Sequence, residues 1–178
     1  ITGFMKQDSG KIFHHNKEIS QVEDYKRAGL GLSRTFQTIR LFPKMTVMEN
    51  MLVAMPDANE NIFRALFWPR GMKKQEKILV EKALKLLKFV DLHAKVNELA
   101  GNLSYGQQKL LEIAKALASE PEILMLDEPA AGINPTMLNK IHDLIIELKK
   151  RGKTILFVEH NMEFVMNLAD KVVVLDYG

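Results

Sequence analysis

The chain has 178 residues, 47% of them hydrophobic and 26% charged, a composition that can bury a core and that excludes a disordered tail or a fibrous repeat. Its 25 basic and 22 acidic residues leave a net charge of +3 with the signs interspersed, so no nucleic acid is expected as a partner. There is no cysteine, which excludes disulfides, thiol catalysis and cysteine-based zinc sites, and no apolar run approaches the ~18–20 residues of a membrane span.

A turn at Asp8-Ser9-Gly10 leads into an expected strand over Gly10–His14. Ser20-Gln21-Val22-Glu23 has capping-box spacing and predicts a helix to Ala28, closed by Gly29. Leu30–Phe36 reads as a strand that delivers Gln37 to a loop. Thr46 and Glu49 form a second capping box and predict a helix to Met55. Residues 56–71 read as irregular, with a short helix carrying Phe63, Leu66, Phe67 and Trp68. From Met72 to Val90 the helical period is clear: Ile78, Leu79, Ala83, Leu86, Leu87 and Val90 make an apolar stripe. Lys73, Lys74, Lys77, Lys85 and Lys88 cover the rest as a solvated face, with Glu81 and Lys85 at pairing distance.

Ser104 and Gln107 make a third capping box, opening a helix whose apolar face includes Leu110, Leu111, Ile113, Ala114 and Leu117. The next stretch organises the chain. Four apolar residues, Ile123–Leu126, lie between Pro121 and Pro129 and suit a strand buried on both faces of a parallel sheet. The run ends in adjacent acids, Asp127 and Glu128, at the carboxyl edge where open α/β sheets bind ligands. Alone, these residues fit either an acidic turn or a nucleoside-triphosphate site, where one acid holds Mg²⁺ and its neighbour activates water. Asn134 can cap a helix with Pro135 in its first position, running to Arg151 and stopping at Gly152. Thr154–Val158 reads as another buried strand ending in Glu159-His160; Asn161 caps a helix to Ala169, and Val172–Leu175 reads as a final strand. Alternating strands and helices predict a parallel sheet with right-handed crossovers. The helical stretch interrupts that pattern, dividing the chain into a partial core at 1–45, an inserted helical subdomain at 46–118 and further core at 119–178.

Four features then fall in a set order: Gln37 in Arg34-Thr35-Phe36-Gln37, the helix start Leu103-Ser104-Tyr105-Gly106-Gln107-Gln108, Asp127-Glu128 in the run to Pro135, and His160. Together they resemble the nucleotide-binding subunit of an ABC transporter, with its Q-loop, signature motif, Walker B strand, D-loop and switch histidine. The resemblance spans essentially the whole chain and is nearest to the branch that serves branched-chain amino-acid importers. Tyr105 stands where the family usually has the first signature glycine, and Asn134 where many relatives carry aspartate.

The resemblance implies an α/β, P-loop NTPase-like fold with a mainly parallel sheet, and binding of ATP with Mg²⁺. It implies that Ser104, Gly106 and Gln107 face the γ-phosphate of an ATP held by a second ATPase subunit, at a helix N-terminus suited to anions. Asp127 would hold Mg²⁺, Glu128 would orient the attacking water, His160 would hydrogen-bond the γ-phosphate, and Gln37 would contact the metal or the water. Implied partners are that second subunit and transmembrane permease subunits, placing the protein peripherally on the cytoplasmic face of the plasma membrane. Arg40–Met55 would lie near the permease. Export of another substrate such as lipopolysaccharide, or a non-catalytic pairing module, stays open at this point.

The phosphate-binding pattern G-x-x-x-x-G-K-[ST] has no match here. Ser9-Gly10-Lys11 is followed by Ile12, and Gly152-Lys153-Thr154 follows a helix and precedes a strand, the reverse of the required order. The expectation is therefore of an incomplete sheet, a fragment beginning just downstream of that loop and inactive towards ATP on its own.

Overall fold

The computed structural model describes residues 1–5, 7–55 and 74–176. The short helix expected around Phe63 and Trp68, and the start of the long helix at Met72, lie outside them. Three parallel strands position the site: β3 (Leu32–Arg34), β4 (Ile123–Asp127) and β5 (Thr154–Val158), in the spatial order β3-β4-β5. Leu32 pairs with Ile123, and Ile123 in turn with Thr154, so all three carboxyl ends open at the same edge. A small antiparallel hairpin, β1 (Phe13–His14) and β2 (Lys17–Glu18), precedes the sheet and turns through His15 and Asn16, both at positive φ.

The helices are α1 (Asp24–Ala28), α2 (Val47–Val53), α3 (Lys74–Phe89), α4 (Tyr105–Leu117), α5 (Pro135–Lys150) and α6 (Met162–Leu168). Their starts follow local chemistry. Thr46 and Glu49 close a reciprocal capping box on α2, Ser104 and Gln107 one on α4, while the Asn134 and Asn161 side chains accept the Met137 and Phe164 N–H groups. Buried residues of α2–α6 and β4 form one continuous core, with Met51, Leu87, Leu111, Leu124, Ile141 and Ile145 fully enclosed. A smaller cluster of Ile19, Leu32 and Met125 fills the other face of the sheet, which is why β4 is apolar on both faces up to Asp127.

Several expectations change. The strand expected from Gly10 is only the two residues Phe13–His14, because it has only the hairpin to pair with, and Leu30–Phe36 shortens to Leu32–Arg34. Ser20 caps no helix: its Oγ accepts the Ile12 N–H, and α1 begins after Glu23 without a side-chain cap. Gly29 keeps a right-handed backbone (φ −67°); the left-handed residue is Gly31 (φ +81°), whose carbonyl accepts the N–H groups of Glu122 and Ile123 as β3 enters the sheet beside β4. On α3, Ile78 is exposed, and Lys82 reaches Glu120 at 3.1 Å, with no ion pair between Glu81 and Lys85. The strand expected to be buried at Thr154–Val158 alternates exposed and half-buried residues, since Ile155 and Phe157 pack on the core while no cluster among the described residues covers the face of Thr154, Leu156 and Val158. Val172–Leu175 pairs with no strand among the described residues and stands exposed. Without a ladder partner, an apolar β-branched run has no reason to be a strand.

Candidate active site at the carboxyl edge of the sheet

β4 ends on Asp127, half-buried, and Glu128 follows it at φ +47°, a left-handed backbone that non-glycine residues adopt only when their surroundings hold it. Here the Glu128 N–H is pinned to the Val158 carbonyl of β5 at 3.0 Å, and the Glu128 carbonyl accepts from Lys109 Nζ of α4 at 2.7 Å. The turn aims the Glu128 carboxylate at the loop after β3. Gln37 Nε2 donates to Glu128 Oε2 at 3.0 Å, and His160 Nδ1 lies 4.0 Å from Glu128 Oε1, with its ring largely in solvent. Three of the expected residues thus come together from the ends of three parallel strands.

Asp127 is held differently. Arg34 Nη2 donates to Asp127 Oδ2 at 2.7 Å, and the Asp127 N–H reaches the hydroxyl of buried Thr35 at 3.3 Å. The donors at this edge are oxygens: the carboxylates of Asp127 and Glu128 and the amide oxygen of Gln37, whose nitrogen is spent on Glu128. That set fits a hard divalent cation such as Mg²⁺. A second group of candidate ligands, His14, His15 and Glu122, lies at the far end of the strands. There His14 Nε2 donates to the Leu30 carbonyl at 3.0 Å, so it has no lone pair to offer, and His15 Nε2 makes a 2.5 Å contact with Glu122 Oε2 that holds this carboxylate below its ordinary pKa.

Ser104, Gly106 and Gln107 stand apart from this edge. Among the described residues, no hydrogen bond or ion pair joins them to Asp127, Glu128, Gln37 or His160. The Ser104 N–H and Gln107 Oε1, and the Gln107 N–H and Ser104 Oγ, satisfy one another at 3.0 and 3.4 Å, leaving the exposed start of α4 facing solvent. Gly106 is buried against α5: a Cβ there would come within 2.5 Å of Met137 Cγ, so only glycine allows this approach. Tyr105, at the position where the family usually has a glycine, lays its ring edge over Gly132 in the turn after Glu128.

Residue-by-residue reading missed the charges that tie α4 to the sheet. Lys109 and Glu112 are only 7% and 8% exposed, one turn apart on a face otherwise made of Leu110, Ile113 and Ala114. Glu112 Oε1 accepts the Arg40 N–H at 3.1 Å, and Lys115 Nζ donates to the Arg40 carbonyl at 2.9 Å. The Arg40 guanidinium stacks on Phe36, 3.7 Å from the ring centre, beside Gln37. Burial raises the Glu112 carboxyl and lowers the Lys109 and Lys115 ammonium groups, each opposed by the charges of the others nearby. The signal was present in the sequence: charged residues at i and i+3 inside an apolar helical stripe.

The family model for ABC transporters matches residues 1–131. A probable branched-chain amino acid transport ATP-binding protein, LivG, of Methanocaldococcus jannaschii is 39% identical over all 178 residues, which span 69% of that relative. BraF of Pseudomonas aeruginosa, a high-affinity branched-chain amino acid transport ATP-binding protein, is 41% identical over 180 aligned positions, covering this whole chain and 71% of its own. Among solved structures, the ADP conformation of an ATP-binding cassette of an ABC transporter superposes on 96% of this chain and 66% of its own, with a TM-score of 0.79 and 39% identity.

Proposed function

The chain belongs to the ABC transporter family, and from that premise we propose that it is the ATP-hydrolysing subunit of an importer for branched-chain amino acids. Proteins of this family bind nucleotide and couple its hydrolysis to transport, acting as dimers beside transmembrane permease subunits. No helix among the described residues is long and apolar enough to cross a membrane. A peripheral place on the cytoplasmic face, held by permease subunits, agrees with that. The substrate class rests on the names of relatives 39–41% identical over the entire chain.

The observation that carries the catalytic reading is the convergence of Gln37 and His160 on the carboxylate of Glu128 at the mouth of the parallel sheet. Glu128 accepts a proton from, or orients, a water directed at the γ-phosphate. Gln37 is already hydrogen-bonded to that carboxylate, so it can hold the same water or the metal and carry the state of the site along its loop towards Phe42 and α2. His160, exposed and on the opposite side of Glu128, can donate to the γ-phosphate oxygens. Asp127 would hold Mg²⁺, with Arg34 balancing its charge until the cation arrives; bound Mg²⁺ would supply neutralisation of the phosphate charge. Ser104 is exposed at the start of α4 and Gln107 half-exposed, with Gly106 packed on α5 between them, so this end of the helix is available to the ATP of a second subunit.

The test is ATP turnover and leucine uptake by the protein assembled with its permease subunits in proteoliposomes. Glu128→Gln should lower turnover about 10²–10³-fold and abolish uptake while ATP still binds. Turnover near the wild-type rate in that variant would sink the catalytic reading, and full activity without uptake of any branched-chain amino acid would sink the substrate.

A further inference from the structure

The proposed site uses Glu128 but leaves unexplained why a buried lysine ends beneath it. Lys109 lies on the inward face of α4, and its ammonium donates to the Glu128 carbonyl at 2.7 Å and lies 3.5 Å from the Pro129 carbonyl. On its other side the ammonium is 5.4 Å from the centre of the Tyr105 ring. The negative charges of Glu159, Glu112 and Glu128 favour its charged form against the cost of burial, and Glu159 Oε1 accepts the Ala130 N–H of the same turn at 2.6 Å. Burying an ammonium is costly unless it is used. Its hydrogen bonds fall on the two residues that follow Asp127, one of them in a left-handed conformation. Both backbone groups of Glu128 are therefore tied, the N–H to β5 and the C=O both to α4 through Lys109 and to the Ala131 N–H of its own turn at 3.2 Å.

We propose that Lys109 is a positioning residue for hydrolysis: its ammonium holds the Glu128 peptide in its left-handed state, so that the carboxylate stays within reach of Gln37 and His160. This rests on the reading of Glu128 as the hydrolytic carboxylate. Without the ammonium, the Pro129 carbonyl loses its donor and the Glu128 carbonyl keeps only the Ala131 N–H of its own turn, at 3.2 Å, so the turn can swing away from α4 and relax the left-handed φ of Glu128. That rotation moves the carboxylate off the line to the γ-phosphate while leaving the phosphate-binding groups in place. The loss should therefore fall on kcat and spare KM.

The experiment measures steady-state ATP turnover in the assembled transporter for Lys109→Met, Glu128→Gln and the double variant, with a thermal melt of each. Lys109→Met should lower kcat about 10–100-fold with KM within about twofold, the scale of a misplacement near 1 Å. In the Glu128→Gln background, adding Lys109→Met should change the residual rate by less than about twofold, because the carboxylate it positions is gone; a merely structural role would impose the same loss in both backgrounds. Should Lys109→Met fail to melt cooperatively, Lys109→Leu, which likewise has no donor, carries the same expectations. Wild-type kcat in the Lys109 variant, a rise in KM at constant kcat, or equal losses in both backgrounds overturns the inference and leaves the role of Glu128 standing. A Glu128→Gln protein that turns over at the wild-type rate overturns both.

Discussion

β4 and β5 are twins in sequence and opposites in the fold. Each is five residues long and mostly apolar, each leads towards an acid, and each is followed by an asparagine-capped helix. Yet Leu124, Met125 and Leu126 of β4 are buried on both faces, whereas Leu156 and Val158 of β5 are 44% and 64% exposed. The difference comes from the strand's place in the sheet. β4 has β3 on one side, β5 on the other and apolar clusters above and below, whereas among the described residues β5 is bonded to a strand on one side alone and packed on the core through one face. The same division runs through the chemistry. The acids at the end of β4 are gripped by Arg34, Thr35 and Lys109, while the His160 side chain beyond β5 is 77% exposed. A fixed carboxylate beside a free imidazole suits a site in which one group must aim a water and the other must reach an incoming phosphate.

The largest effect that could break this contrast is in packing. Leu124→Ala removes a side chain with no solvent exposure and should cost about 2–5 kcal/mol in urea unfolding. Leu156→Ala in β5 should cost less than about 1 kcal/mol, since nearly half of that side chain already faces water. Equal costs would mean that the edge face of β5 is covered in the folded protein.

The helices that follow the two strands sharpen the comparison by predicting no difference. The Asn134 and Asn161 side chains accept helix N–H groups at 2.9 and 3.0 Å, so alanine at either should cost about 1 kcal/mol. A cap at Asn161 that costs nothing would show that α6 gains its stability from the packing of Phe164, Val165 and Leu168 alone.

What could be read in advance follows the range of the interactions involved. Capping boxes at Thr46 and Ser104, the Asn134-Pro135 start of α5 and the apolar stripe of α4 are settled within four or five neighbouring residues, and they stand as expected. The convergence of Gln37, Glu128 and His160 was legible because strand ends in a parallel sheet share one edge. Burial of β5 was not legible, because T-I-L-F-V has the same character at the edge of a sheet as at its centre. Val172–Leu175 was misjudged for the same reason, and Ser20 because its hydroxyl had a competing partner at Ile12. Lys109 and Glu112 were passed over because a charge in an amphipathic helix is usually solvated, and only the position of α4 against the turn after β4 shows that these are not.

The smallest expected effect tests whether Glu112 belongs to the gripped side of this division. Its carboxylate is buried beneath the loop after β3, where burial raises its pKa and the Arg40 N–H, with Lys115 and Lys109 nearby, holds it down. The folded state therefore takes up a proton at a higher pH than the unfolded chain does. Between the folded pKa and the ordinary value of about 4.3 the native protein binds more protons, so its stability falls as pH rises through that window. The cost of ionising Glu112 is present above that window and absent below it. Glu112→Gln cannot ionise and keeps an acceptor for the Arg40 N–H. Its melting temperature relative to wild type should be most favourable at pH 7 and should decline as pH falls towards 4. The remaining titratable groups are common to both proteins and cancel in the difference. A difference that is flat or grows on acidification would mean that Glu112 meets water in the folded protein and that the loop bearing Gln37 is not fastened to α4.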